Sequence, residues 1–135
     1  MCCEDAAMAR ACYEAALSVD PDIILMVLAA TVMEDVAKEL GANHAAEIFA
    51  DRAYNDDATL VDRSKPGAVI HDAAHAARRI TEMVQAGAII TESGKHIPTR
   101  IDTICVHGDN AEAVALARAV RDGLQTAGVA VAQFG

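Results

Sequence analysis

The sequence predicts an α/β fold in which parallel strands alternate with helices. Two observations carry that expectation. Short, continuously apolar segments bounded by turn residues read as strands buried on both faces, the pattern of a parallel sheet. Between them lie segments of helical periodicity, opened by Thr or Asp and closed by Gly. The 135 residues are enough for one domain with a real core and not for two, so 1–135 is read as a single unit.

The elements follow in order. Residues 4–19 form the first helix, with Ala7, Met8, Ala11, Cys12, Ala15 and Ala16 at helical spacing. Asp20-Pro21-Asp22 breaks it. The run 23–28 is the first strand, apolar throughout and thus expected to be buried on both faces. Thr31-Val32-Met33-Glu34 is a capping box, in which the Glu reaches back to the cap amide. The helix it opens runs to Leu40 and stops at Gly41. A short strand over 46–50 leads into a long polar segment, 51–66. Asp72 caps a helix that turns Ala76, Ile80, Met83 and Val84 inward and stops at Gly87. Ile89-Ile90 and Ile97 flank Ser93-Gly94, which fits a small hairpin. A strand over 101–106 follows. Asp109-Asn110-Ala111-Glu112 caps the last helix, with Val114, Ala117, Val120 and Leu124 on its buried face. Gly128 ends it, and 129–131 starts a final strand. Such alternation implies right-handed crossovers.

Composition narrows the functional classes. Hydrophobic residues make up 53% and aromatics only 3%, so the core is built from Ala, Val, Ile, Leu and Met. The net charge of -9 repels phosphate backbones and anionic lipid, so neither nucleic acid nor a membrane is expected as a partner. The longest apolar run, 23–32, is too short to span a bilayer. Cys2, Cys3, Cys12 and Cys105 show neither a redox pair nor zinc-site spacing, which suits reduced thiols in a cytoplasmic protein. No signal-peptide pattern opens the chain.

In parallel α/β folds, ligands bind at the carboxyl ends of the strands. Two such ends are unusually polar. In the first, alternation puts Glu47, Phe49 and Asp51 on one side, with Arg52 next to them. Two carboxylates on one cavity can share proton transfer, and an Arg can grip a carboxylate or phosphate. The alternative is that Asp51 and Arg52 merely anchor the loop. The second end is His107-Gly108-Asp109. Here His107 is either an acid/base group oriented by Asp109 or a solvated loop residue beside a helix cap. His44, His71, His75 and His96 read as surface residues, and Cys105 as core. No glycine-rich phosphate loop is present.

The runs Glu47-Ile-Phe-Ala-Asp-Arg-Ala-Tyr54, Leu60-Val-Asp-Arg63, Gly67-Ala-Val-Ile70 and Ile104-Cys-Val-His-Gly-Asp109 occur in that order. In series they resemble the C-terminal half of the LamB/YcsF family, and the resemblance covers essentially the whole chain. Ala30 and Ala58 stand where the family pattern tends to have Gly, and Asp62 places an acid within Leu-Val-x-Arg. The family's front motifs are absent: the Asn-Ala-Asp-Leu-Gly-Glu strand, His-Ala-Gly-Asp, His-Pro-Gly and Lys-Pro-His-Gly.

The resemblance implies about half of a distorted β/α barrel of the glycoside hydrolase/deacetylase type. The activity it implies is ATP-driven opening of the lactam of 5-oxoproline to L-glutamate, with the B and C subunits of a 5-oxoprolinase as partners. It further implies ATP as cofactor, and any metal ligands in the absent front half. Such chemistry needs cations for phosphate, a proton donor for the leaving nitrogen and a carboxylate to activate water. Arg52, Arg63 and Tyr54 fit substrate and phosphate binding; His107, with Asp109, fits the donor; Asp51 or Glu47 fits the base. A chain so built is expected to be inactive alone, and to find its missing half or self-associate through unpaired strand edges. Two other readings compete: a flavodoxin-like binding or signalling domain, and a degenerate structural fragment without activity.

Overall fold

The computed structural model describes residues 2–108 and 112–133. In chain order the elements are α1 (Ala6–Val19), β1 (Leu25–Leu28), α2 (Val32–Glu39), β2 (His44–Phe49), α3 (Ala73–Ala86), β3 (Ala88–Ile90), β4 (His96–Pro98), β5 (Thr103–Cys105) and α4 (Ala113–Thr126). The fold is α/β with a parallel sheet. β1 and β5 both pair parallel to β2, giving the order β1-β2-β5. β3 and β4 form the expected hairpin as a separate antiparallel pair.

The chain thus crosses the sheet in one direction. With right-handed crossovers, that order places successive helices on the same face. The packing agrees. Val27 stands beside Ala46, and Ile48 beside Ile104. Leu25 and Val27 pack with Ala9 and Tyr13 of α1 and Val36 and Ala37 of α2. Ala46, Ile48 and Ala50 pack with Ile80 and Met83 of α3 and Leu116, Val120 and Leu124 of α4. A doubly wound sheet reverses its strand order and covers both faces; among the described residues this sheet does neither, which weighs against the flavodoxin-like reading. No helix is long and apolar enough to cross a membrane among the described residues.

The other sheet face is where the expected burial of β1 fails. Met26 is 44% exposed and Ile24 36%. A continuous apolar run does not say that both faces are covered; it says only that both can be. The first helix also differs. Its buried residues are Ala9 and Tyr13, while Ala7, Met8, Ala11, Cys12 and Ala15 face outward and only Ala16 of the expected set packs inward. An Ala-rich helix is apolar nearly all round, so the bulky Tyr13 decides its orientation. In α4, Val120 and Leu124 are buried as expected, but Ala113 and Leu116 take the places expected for Val114 and Ala117. Its N-cap, Glu112, makes no side-chain cap bond. Asp109, Asn110 and Ala111 lie outside the described residues.

Residues 129–131, expected to start a final strand, form none among the described residues. After α4 the chain bonds back, Val129 N–H to Leu124 O at 2.9 Å. It then runs beside β5 across a cavity of about 470 Å³ lined in part by Thr103, Val106, Val129 and Val131. Apolar β-branched residues favour a strand only when an edge is within hydrogen-bonding reach.

The caps of α2 and α3 are as read, with one change. Asp72 accepts from His75 N–H at 2.6 Å, and Gly87 closes α3 in the left-handed region at φ 58. Thr31 Oγ1 accepts from Met33 N–H at 3.3 Å and donates to Leu28 O at 2.8 Å. Glu34 reaches past the Thr31 amide to Ala30 N–H at 2.8 Å, because Ala30 turns the chain with φ 58. Ala58 has φ 67. A Cβ in that region carries a penalty of about 1–2 kcal/mol, so both turns are strained with Ala and would be relieved by Gly.

Glu34 also pairs with Lys38 Nζ at 2.6 Å. Burial acts to raise its pKa, but the bonds from Lys38 and Ala30 N–H outweigh it and hold the carboxyl below its ordinary value. A depressed carboxyl pKa contributes stability that is complete above the unfolded-state value and is lost as pH falls through the folded-state value. Glu34→Ala is therefore expected to lower unfolding free energy by about 1–3 kcal/mol at neutral pH. In denaturant titrations the gap from wild type should close in acid; a gap that persists there would show that the charge is not what matters.

Candidate functional site

The site is set by register. Asp102 N–H donates to Ala46 O at 2.9 Å, and Asp102 Oδ2 accepts from Ala46 N–H at 2.8 Å. Arg100 Nε holds the same carboxylate at 2.8 Å. This clamp fixes where β5 enters beside β2. From there Glu47 pairs with Thr103 and Phe49 with Cys105, and Ala50 N–H donates to Cys105 O at 3.0 Å. Two residues further on, Asp51 and His107 stand opposite each other.

They are bonded. His107 Nδ1 lies 2.7 Å from Asp51 Oδ2 and 3.0 Å from Oδ1. An ionised carboxylate only accepts, so Nδ1 carries the hydrogen and the neutral ring keeps its lone pair on Nε2. Asp51 is 8% exposed, and the Phe49 ring stacks on the imidazole with centroids 5.5 Å apart and planes at 30°. The imidazole is thus oriented on one edge and one face, with Nε2 left to exchange a proton.

Period-two alternation places Glu47, Phe49, Asp51, Thr103, Cys105 and His107 on the sheet face away from the helices. Burial pushes the Glu47 carboxyl above its ordinary value, and the nearby His107 only partly offsets this. A carboxyl so raised suits a group that gains and loses a proton. Burial first, then Glu47 and Asp51, push the Cys105 thiol up. That makes it a poor nucleophile, but it is half-buried on the site face and not the core residue expected. Thr103 was not legible as a site neighbour; only its pairing with Glu47 brings it there.

Arg52 and Tyr54 go elsewhere. Arg52 is 7% exposed, and its Nη2 donates to Val61 O at 2.6 Å. Its backbone bridges Val69. Burial lowers its pKa, and Arg63 lowers it further. Its Nε has no hydrogen-bond partner among the described residues. Arg63 is exposed in the following loop. Tyr54 corrects the expectation of a binding residue: it is fully buried, Arg79 lies 5.5 Å over its ring, and its hydroxyl accepts from Phe49 N–H at 2.7 Å. Burial pushes that phenol up to about 12. It braces the strand end. Of the residues proposed as one cluster, the structure joins Asp51, His107 and Glu47, keeps Arg52 and Arg63 on the adjoining loop, and removes Tyr54 to the core. Asp109 lies outside the described residues. His44 is half-buried, its Nδ1 3.0 Å from Ala42 O, and so is not the surface residue expected; His71, His75 and His96 are exposed.

Sequence reasoning did not find the tie between the loop after β2 and the hairpin. Thr91 and Ser93 hydroxyls each donate to Asp56 Oδ1 at 2.6 Å, and Lys95 Nζ donates to Asp56 O at 2.8 Å. No local periodicity announces a contact between such distant segments. Among the described residues no group of three or more His, Cys, Asp or Glu is placed to hold a metal ion.

Comparison with known proteins gives a consistent picture. The model of the LamB/YcsF family matches residues 1–135. The 5-oxoprolinase A subunit of Ruegeria pomeroyi is 62% identical over 134 residues, covering 99% of this chain and 53% of that protein. Its counterpart from Gluconobacter oxydans is 54% identical over 127 residues, covering 94% and 50%. The crystal structure of a lactam utilization protein from Thermus thermophilus superposes with a TM-score of 0.84 at 40% identity, over 98% of this chain and 52% of that one. The chain spans about half the length of the curated relatives it matches.

Proposed function

The chain belongs to the LamB/YcsF family, and from that premise we propose that it supplies one half of a 5-oxoprolinase A subunit. The proposed reaction is ATP-driven opening of the 5-oxoproline lactam to L-glutamate, carried out with B and C subunits. The observation that carries the reading is the Asp51–His107 pair at the carboxyl end of the sheet. It stands on a face that the chain's own helices do not cover.

The roles follow from the geometry. Asp51 holds Nδ1–H of His107, so Nε2 is the atom that first takes up a proton, giving an imidazolium that Asp51 stabilises, and then passes that proton to the leaving lactam nitrogen. Glu47, with its raised pKa, is the neighbouring carboxyl suited to take a proton from water. Arg52 fits an anion in one respect: its Nε has no hydrogen-bond partner among the described residues and Arg63 adds a second cation nearby, while Asp51 and Asp62 already offset part of the charge. These two residues would hold the phosphates of ATP, which supplies phosphoryl activation of the lactam oxygen. A barrel is the architecture that best completes the sheet. Among the described residues β1 and β5 each keep one unpaired edge, and the face bearing Met26, Glu47 and Asp51 needs a partner that closes a cavity over it.

The half of the Ruegeria pomeroyi relative that the chain does not match offers the test. Mixed with this chain, it is expected to form a 1:1 complex in sedimentation and to slow amide exchange along β1 and β5. Two species that sediment independently, with exchange unchanged at both edges, would refute the half-barrel reading.

A further inference from the structure

His107 is held to Asp51 through one ring nitrogen, and a single hydrogen bond leaves an imidazole free to swing about its side-chain torsions. The second restraint comes from β2. β1 gives its last ladder bond where Ala29 N–H donates to Glu47 O at 3.0 Å. Ala30 then turns away with φ 58. Phe49 N–H is where a continued parallel ladder would bond the Ala29 carbonyl; instead the buried Tyr54 hydroxyl accepts it at 2.7 Å. The strand end carrying Phe49 pairs with β5 on one edge and is fixed on its other edge, where β1 has turned away, by the Tyr54 hydroxyl. From it the Phe49 ring lies against the imidazole at 5.5 Å and 30°, an offset-stacked arrangement.

We infer that Phe49 is a positioning residue: its ring holds the His107 imidazole in the orientation that keeps Nδ1–H on Asp51 and Nε2 open to the site. The inference rests on the reading of His107 as the proton carrier, but it concerns the state of the ring and can be tested apart from turnover. With Phe49 in place, the neutral ring is locked in the Nδ1–H form. Without it the ring pivots off Asp51 and populates the Nε2–H form that free histidine favours.

The experiment is ¹⁵N-resolved NMR of the imidazoles in this chain at a pH where histidines are neutral, with the His107 signals assigned by their loss in His107→Ala. Wild type should show the Nδ1–H signature and a nuclear Overhauser contact from the Phe49 ring to His107. Phe49→Leu should shift the ring toward Nε2–H, and Phe49→Tyr, which keeps the ring face, should restore the wild-type pattern. An unchanged Nδ1–H signature in a folded Phe49→Leu overturns the inference. So does a wild-type spectrum without the ring contact, and that measurement stands even where the Leu variant does not fold. Undiminished turnover by His107→Ala in a complete assembly would instead remove the proton-carrier reading and leave these spectra as they are.

Discussion

His107→Ala is expected to remove most of the 5-oxoproline-dependent ATP hydrolysis of an assembly built from this chain, its complementary half and the B and C subunits. The loss should be roughly 10²–10⁴-fold in kcat, the range for deleting a positioned general acid or base. The reason is positional. His107 is the histidine at the carboxyl end of the parallel sheet, bonded at 2.7 Å to a carboxylate that is itself nearly buried. His44 sits at the opposite end of β2, and His71, His75 and His96 are exposed. None can take over. Asp51→Ala should produce a large part of the same loss, because it frees Nδ1 and lets the ring choose the other tautomer. The check is phosphate release measured with saturating ATP and varied 5-oxoproline. A His107→Ala assembly that turns over like wild type would dismiss this residue from the chemistry.

The isolated chain, even with B and C subunits present, is expected to show no 5-oxoproline-dependent ATP hydrolysis, and the complementary half should restore it. The structure presents Glu47, Asp51 and His107 on the sheet face that its own helices do not cover, where Met26 is 44% and Ile24 36% exposed. Asp51 is buried and Glu47 and His107 are half-buried, but among the described residues no helix closes over a lactam held there. Orientation and exclusion of water account for roughly 7–11 kcal/mol of barrier lowering in a complete site. Losing one wall of the cavity should therefore abolish turnover, not merely slow it. Robust hydrolysis by the 135-residue chain with B and C alone would mean that the site is complete within it, and the half-barrel account would have to be given up.

Much of the local structure was legible in the sequence. Thr31 and Asp72 cap helices, Gly87 ends one, and Ser93-Gly94 turns a hairpin. Each depends on atoms a few residues apart. The family was legible too, because its runs around Asp51 and His107 are contiguous. That Glu47, Phe49 and Asp51 share a side followed from strand alternation alone.

What only the tertiary structure decided is how distant segments meet. The bond between Asp51 and His107 requires the β2–β5 register, and the Asp102–Ala46 clamp sets that register across 56 residues. Tyr54 looked like a polar group at a strand end, yet it is buried because β1 stops short and leaves Phe49 N–H in need of an acceptor. Residues 129–131 have strand composition but lie across a cavity from β5 and form no strand. The apolar residues of α1 offered several equivalent faces, and packing of Tyr13 against Val27 and Val36 chose one. Caps, turns and alternation are determined by the chain's nearest neighbours along the sequence. Register, burial and the facing of an apolar helix depend on contacts whose partners the local pattern does not name.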